Sequence, residues 1–118
     1  MIRKASEMRE QVRENMRGGA GAALIRHCFE KDEMTANCRL CSVLTLKPGA
    51  GIGMHRHENE DEVFIVIRGT GVMDDGKTRT RVSAGDATLT GKGEGHAVHN
   101  DGDEDLVIAA IIMGYSGA

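Results

Sequence analysis

From residue 37 onward, short apolar runs alternate with turn-forming clusters, and this pattern constrains the fold more than any other feature of the sequence. The runs are rich in Val, Ile, Leu and Thr, and they cover residues 38–46, 62–68, 71–74, 79–82, 86–90, 95–99 and 105–113. Clusters of Gly, Asp and Lys separate them, and the Asp-Asp-Gly-Lys of residues 74–77 is typical of a β-hairpin turn. Many short strands without intervening helices predict an all-β sandwich or closed barrel.

The first part of the chain has a different character. Residues 3–17 are polar and rich in helix formers, and an apolar residue recurs at every fourth position, at Met8, Val12 and Met16. This spacing predicts a short amphipathic helix. A first short strand is predicted from Leu24 to Phe29. We therefore predict a helical arm and first strand over residues 1–36, followed by the barrel over residues 37–118.

Length and charge exclude several functions. The chain of 118 residues suits a single domain. Its net charge of -3 and pI near 5.9 argue against a nucleic-acid or anionic-membrane partner, which usually requires a basic face. No apolar run is long enough to span a membrane, and the charged N-terminus lacks the apolar core of a signal peptide. We therefore expect a cytoplasmic protein.

Cys38 and Cys41 form a CxxC motif, which could indicate a redox pair or half of a zinc site. They lie in a predicted strand, where an offset of three residues directs side chains to opposite faces. No second CxxC accompanies them. We expect these thiols to be small buried side chains in a reducing compartment.

Two runs are apolar at every position instead of alternating: residues 63–67 and 106–113. In a small sheet with one wet face, such runs are unexpected. Either both faces are covered by the same chain, or one face packs against another subunit. The pattern favours a homodimer.

Four residues form a potential metal-ligand set: His55, His57, Glu62 and His96. On an extended backbone His55 and His57 point the same way, and a tight turn can bring Glu62 beside them. His96 is then expected from a facing strand. Three imidazoles and one carboxylate suit a divalent transition metal such as Mn, Fe, Co, Ni, Cu or Zn, whereas Ca and Mg prefer mostly oxygen. A six-coordinate ion would keep two positions for water or substrate.

Other catalytic motifs are absent from the sequence. No second histidine completes an HExxH pattern after His57, and the glycine clusters have neither GxGxxG spacing nor a GK[ST] phosphate loop. Three further residues are interpreted structurally: His27 as structural, His99 as facing away from His96, and Asn100 as holding a turn. The remaining charged residues are interpreted as solvated, with a proton shuttle or attraction of an anion as the alternatives: Arg56, Glu58, Glu60, Asp61 and Lys92.

Two spaced motifs resemble those of the cupin family. The pattern G-x5-H-x-H-x3,4-E-x6-G matches from Gly49 to Gly69, and G-x5-P-x-G-x2-H-x3-N matches from Gly85 to Asn100, with Gly91 in place of proline. The chain resembles a small single-domain cupin. The sequences in and around its two motifs are similar to those of bacterial cupins described as oxalate-decarboxylase-like. The resemblance implies an all-β, double-stranded β-helix jelly roll with the four metal ligands named above.

Three functions remain open at this point. The first is a metal-dependent enzyme acting on a small oxygen-rich acid or carbonyl compound, of the decarboxylase, isomerase or dioxygenase type. The second is a non-catalytic, metal-dependent module that binds or senses a small molecule. The third is a structural cupin without metal. The only candidates for acid–base catalysis are His99 and the carboxylates of residues 58–61, so the catalytic residues are unknown.

Overall fold

The structure, a computed structural model, describes residues 1–115, so the last three residues of the predicted barrel lie outside the described residues. Within this part the chain forms ten strands: β1 Arg9–Glu14, β2 Ala22–Phe29, β3 Cys38–Leu46, β4 Gly51–Arg56, β5 Glu60–Arg68, β6 Thr70–Asp74, β7 Arg79–Ser83, β8 Ala87–Thr90, β9 Gly95–His99 and β10 Leu106–Gly114. Three single turns of 3-10 helix accompany them: Ala5–Glu7, Met16–Gly18 and Lys31–Glu33.

The strands pair into two antiparallel sheets. The six-stranded sheet has the order β1-β2-β3-β10-β5-β8, and the four-stranded sheet has the order β4-β9-β6-β7. The predicted hairpin joins β6 and β7, where Asp75 accepts hydrogen bonds from the backbone of Lys77 and Thr78. The prediction of an all-β jelly roll is confirmed. Among the described residues, no helix has the length and apolar character needed to cross a membrane.

The core lies between the two sheets and is centred on β10. Alternate residues of this strand point inward, and each is at most 3% exposed: Leu106, Ile108, Ala110 and Ile112. They pack with the inward residues of both neighbours, such as Leu44 on β3 and Phe64 on β5. The strand period of two residues therefore directs one face of β10 to the core and leaves the other outside.

The predicted helix over residues 3–17 is wrong. Residues 5–7 and 16–18 form single 3-10 turns, and the centre of the segment is strand β1, which pairs with β2 from Arg9↔His27 to Glu14↔Ala22. Apolar residues four positions apart also share one face of a strand, so the spacing did not distinguish the two structures. Pairing with the free edge of β2 decided in favour of the strand.

The expectation that Cys38 and Cys41 face opposite ways is also wrong. They pair with Met113 and Ile111 of β10, which are two residues apart and share a face; the register shift in β3 cancels the alternation. All three cysteines are free thiols, and burial raises the pKa of Cys41.

Strand β4 was missing from the predicted runs because its sequence, GIGMHR, is rich in glycine and polar residues. The glycines have a structural reason. A Cβ atom on Gly53 would collide with the backbone carbonyl of Arg17, and one on Gly51 would collide with that of Val98. The absence of a side chain at Gly53 lets the turn around Arg17 lie directly on β4, and its absence at Gly51 lets β9 approach closely.

We expect Gly53→Ala to lower the free energy of unfolding by about 1–3 kcal/mol, because the new methyl group must displace the Arg17 backbone. Trypsin should also cleave the loosened segment faster at Arg17. Gly102→Ala is the matched control, since its Cβ would make only ordinary contacts. Urea unfolding and limited proteolysis measure both effects. Equal stability of the two variants would contradict the close packing at Gly53.

Candidate metal centre

The structure brings together the four residues that the motifs predict. One ligand atom from each of His55, His57, Glu62 and His96 lies within 4.8 Å of the others. Three of the side chains are at most 5% exposed, and His55 is half-buried. A buried cluster of this composition is rare unless its polar atoms have partners.

Both sheets contribute to the cluster. His55 and His57 extend from β4 and the turn after it, whereas Glu62 lies on β5 of the opposite sheet. His96 on β9 is the direct cross-strand neighbour of His55. The expectation that His96 comes from a facing strand is therefore wrong: the carboxylate crosses between the sheets and the histidine does not.

Each imidazole is oriented by a hydrogen bond at its Nδ1 atom. The partners are the Gly53 carbonyl oxygen for His55 at 2.7 Å, the Glu60 carboxylate for His57 at 2.6 Å, and the Thr90 hydroxyl for His96 at 3.0 Å. A carbonyl or carboxylate oxygen can only accept, so His55 and His57 carry their protons on Nδ1. Their Nε2 atoms are left with free lone pairs.

These lone pairs converge on one point. The Nε2 atom of His96 lies 3.1 Å from the Nε2 atoms of both His55 and His57, and Glu62 Oε1 lies 2.9 Å from two of the three nitrogens. With the protons of His55 and His57 directed outward, the electron-rich atoms repel one another. A cation at the centre would reverse this repulsion. The donor set therefore fits a divalent transition metal.

The pKa of His55 lies below its ordinary value, and burial is the largest of the causes. A lowered pKa keeps the imidazole neutral near pH 7. A histidine must be neutral to donate its lone pair to a metal.

Glu60 has a positioning role that the sequence did not reveal. Its carboxylate accepts a hydrogen bond from Nδ1 of His57. It also accepts two from the guanidinium group of Arg39, at 2.8 Å each. Arg39 and, after it, His57 lower the pKa of Glu60 to about 2. A carboxylate behind a metal-binding histidine fixes the orientation of the ring. The interpretation of Glu60 as a solvated turn residue is wrong.

Three of the four candidate ligands, His55, His57 and Glu62, line a cavity of about 240 Å³ inside the barrel. Apolar side chains form much of its wall, including Met16, Leu40, Leu44, Ile52 and Phe64. Phe64 stacks on the ring of His96, with ring centres 4.9 Å apart. The cavity is smaller than the usual 300 Å³ or more of drug-sized pockets, so it suits a small ligand.

The other candidates lie in varied places. His27 also lines the cavity and contacts Gln11, with Nε2 and Oε1 3.0 Å apart, so its purely structural interpretation was incomplete. His99 is exposed on the outer side of β9, as expected. Arg56 donates to the carbonyl of Gly93 and does not line the cavity. Lys92 does not line it either.

Asn100 is fully buried and holds the turn before β10, which confirms its structural interpretation. Its amide group donates to the carbonyl oxygens of Leu46 and Glu104, and its carbonyl oxygen accepts from Gly102. Gly91, which replaces the proline of the second motif, also has a packing reason. A Cβ atom there would collide with the Asp61 carboxylate, which accepts a hydrogen bond from Tyr115.

Comparisons with known proteins agree with this architecture. Residues 42–112 match the model of the family described as "Cupin domain". The chain belongs to this family. It is 35% identical over 113 residues to the oxalate-binding protein of Thermotoga maritima, covering 96% of this chain and 93% of that protein. The resemblance predicted from the two motifs is confirmed.

Solved structures extend the comparison. A crystal structure of a predicted oxalate decarboxylase from Thermotoga maritima superposes with a TM-score of 0.92 at 35% identity, covering 97% of this chain and 99% of that one. KdgF from Halomonas sp. superposes with a TM-score of 0.75 at 18% identity, covering 96% and 94%. At that lower identity the likeness shows the fold alone.

We expect Glu60→Ala to weaken binding of Zn²⁺ or Mn²⁺ by roughly 10–100-fold, because His57 loses the acceptor that orients it. Glu60→Gln should weaken it less, since the amide oxygen still accepts the proton. Competition with a chromophoric chelator measures the affinity. Glu58→Ala is the control, because Glu58 is an exposed carboxylate two residues earlier. Equal affinity of Glu60→Ala and Glu58→Ala would contradict the positioning role.

Proposed function

We propose that the protein binds a divalent transition metal through His55, His57, Glu62 and His96, and that the bound metal holds a small oxygen-rich acid in the cavity. The observation that carries the proposal is the convergence of Nε2 lone pairs, with the protons of His55 and His57 committed to outward acceptors. The proposed occupant is the cation that these atoms jointly attract. The identity of the metal stays open among Mn, Fe, Co, Ni, Cu and Zn.

Two further observations support an acid as the ligand. The relative that is similar over nearly the whole chain is named an oxalate-binding protein. The cavity of about 240 Å³ has room for only a small molecule, and cationic side chains line it beside the apolar ones. When bound, the metal would supply positive charge for the oxygens of a carboxylate. The apolar wall around Phe64 and Leu44 would exclude water from the side of the acid that faces away from the metal.

Turnover of the acid is the second candidate function, and His27 is the observation that favours it. His27 is a titratable side chain of the cavity outside the proposed ligand set. Burial, and then the nearby Arg9, lowers its pKa, so the imidazole is neutral near pH 7 and able to accept a proton. Decarboxylation or isomerisation both require such a proton transfer. Turnover of the acid by the wild type would establish an enzyme, and its loss in His27→Gln with acid binding retained would establish the role of His27.

The outer face of the six-stranded sheet supports a second copy of the chain as the partner, forming a homodimer. Exposed apolar side chains on this face include Val12 on β1, Ile65 and Ile67 on β5, and Leu89 on β8, which are 41–68% exposed. Apolar side chains are thus exposed on strands at both edges of this face, with Arg26 and Arg68 between them, and so many are unusual for a surface in contact with water. A second copy presents the same apolar face, and packing the two together would bury both.

The three free thiols support a reducing, cytoplasmic location.

We expect the purified protein to retain a transition metal in elemental analysis and to gain thermal stability on addition of oxalate only when the metal is present. His55→Ala should weaken metal binding by more than the roughly 10–100-fold typical of an outer partner, because a direct ligand is lost. His99→Ala should bind metal normally, since its side chain lies outside the barrel. Absence of metal uptake by the wild-type protein would refute the proposal.

We expect Ile65→Lys to convert a dimer into a monomer in size-exclusion chromatography with light scattering. The new charge would be buried without a partner in the proposed interface. Met54→Lys is the control, because Met54 is 46% exposed on the other sheet. A wild-type protein that is monomeric at all concentrations would exclude the interface.

A further inference from the structure

Strand β1 adds polar side chains to the cavity. Gln11 and Arg13 pair with Ile25 and Ala23, whose side chains are buried, so this face of β1 is directed to the cavity, where Gln11 is half-buried and Arg13 stays exposed. Both residues line the same cavity as His55, His57 and Glu62. The segment that was predicted to be an amphipathic helix is therefore part of the wall of the candidate site.

Arg17 reaches the same cavity from the turn after β1. The turn is held in place by backbone bonds, from Asn15 to the Gly21 carbonyl at 2.8 Å and from Gly51 to the Ala20 carbonyl at 2.9 Å. Arg17 itself adopts a left-handed backbone conformation with φ of 54°. Such a conformation is costly for arginine, and the packing against Gly53 stabilises it. The backbone of this cationic residue is thus held beside the candidate metal centre.

The arginines of the cavity differ in their charge partners. Arg39 is neutralised by Glu60 through two hydrogen bonds. Within residues 1–115, no carboxylate lies within ion-pair distance of Arg13 or Arg17. A guanidinium group forms its strongest hydrogen bonds with a carboxylate, which it can contact through two parallel N–H groups. Two such groups beside one cavity create a local preference for anions.

The charges favour a ligand with two negative groups. A divalent metal with Glu62 carries a single net positive charge, which one carboxylate would balance. Arg13 and Arg17 add further positive charge near the same cavity, enough to balance a second carboxylate. A monocarboxylate of equal size would leave the arginines without a partner.

We propose that Arg13 and Arg17 form a second anchor in the cavity, which binds the carboxylate oxygens directed away from the metal and makes the site selective for small dicarboxylates. This inference rests on the proposed function, since it places the acid between the metal and the two guanidinium groups. It names the substrate class of that site. It also explains why the turn around Arg17 is packed so closely on β4.

The test compares two acids on the Mn²⁺-loaded protein by isothermal titration calorimetry. Oxalate carries two carboxylates, and glyoxylate has the same two-carbon chain with only one. We expect Arg13→Ala and Arg17→Ala each to weaken oxalate binding by about tenfold, the loss typical of a hydrogen bond to a charged group. Glyoxylate affinity should change by less than about threefold, because its single carboxylate is held by the metal.

Two controls separate charge from structure. Arg9→Ala removes a guanidinium from the same strand, but Arg9 pairs with Glu30 and does not line the cavity. It should leave oxalate affinity unchanged. Arg13→Lys keeps the charge and loses the two-pronged contact, so it should weaken oxalate binding less than Arg13→Ala does. Elemental analysis of each variant should show the same Mn²⁺ content as the wild type.

The outcomes are distinguishable. If the double variant Arg13→Ala/Arg17→Ala retains Mn²⁺ and binds oxalate as tightly as the wild type, the second anchor is refuted and the proposed function stands. An equal loss of affinity for oxalate and glyoxylate would refute the selectivity. If the Mn²⁺-loaded wild type binds neither acid, the proposed function fails and the inference fails with it.

Discussion

The structure around the candidate site depends on one constraint: three imidazoles and a carboxylate are placed inside a small apolar barrel. Buried polar atoms destabilise a protein unless each has a partner. Here the partners of the three imidazoles are the Gly53 carbonyl, the Glu60 carboxylate and the Thr90 hydroxyl, which surround the site. The outward bonds satisfy the Nδ1 atoms and leave the Nε2 atoms directed to a common centre.

The same constraint also determines the residues that lie behind the four candidate ligands. Glu60 can hold His57 as a carboxylate because Arg39 neutralises its charge from the neighbouring part of the sheet. Gly53 can offer its carbonyl to His55 while its missing side chain admits the turn of Arg17 on the other side. One residue of β4 therefore links the orientation of a candidate ligand to the position of the N-terminal segment. Packing and chemistry are coupled at this strand.

Some features were predictable because they depend on local periodicity. The strands with alternating or continuous apolar residues, such as β3 and β10, were recognised within one or two residues of their observed ends. Strand β4 was not, because its glycines and His55 serve the site and carry little apolar pattern. The segment of β1 was assigned to a helix because residues spaced by four share a face in either structure. Pairing with β2, a non-local contact, resolved that ambiguity.

The sequence by itself determined the fold family and the four candidate ligands, because these depend on spacing within two short motifs. A two-residue offset on a strand directs His55 and His57 to the same side whatever the rest of the chain does. Only the tertiary structure decided which further side chains surround them. Glu60 and Arg39 meet across 21 positions of the chain, and Arg13 and Arg17 line the cavity only because β1 joins the sheet edge. Such contacts depend on strand register, which a single extra residue in a strand can change.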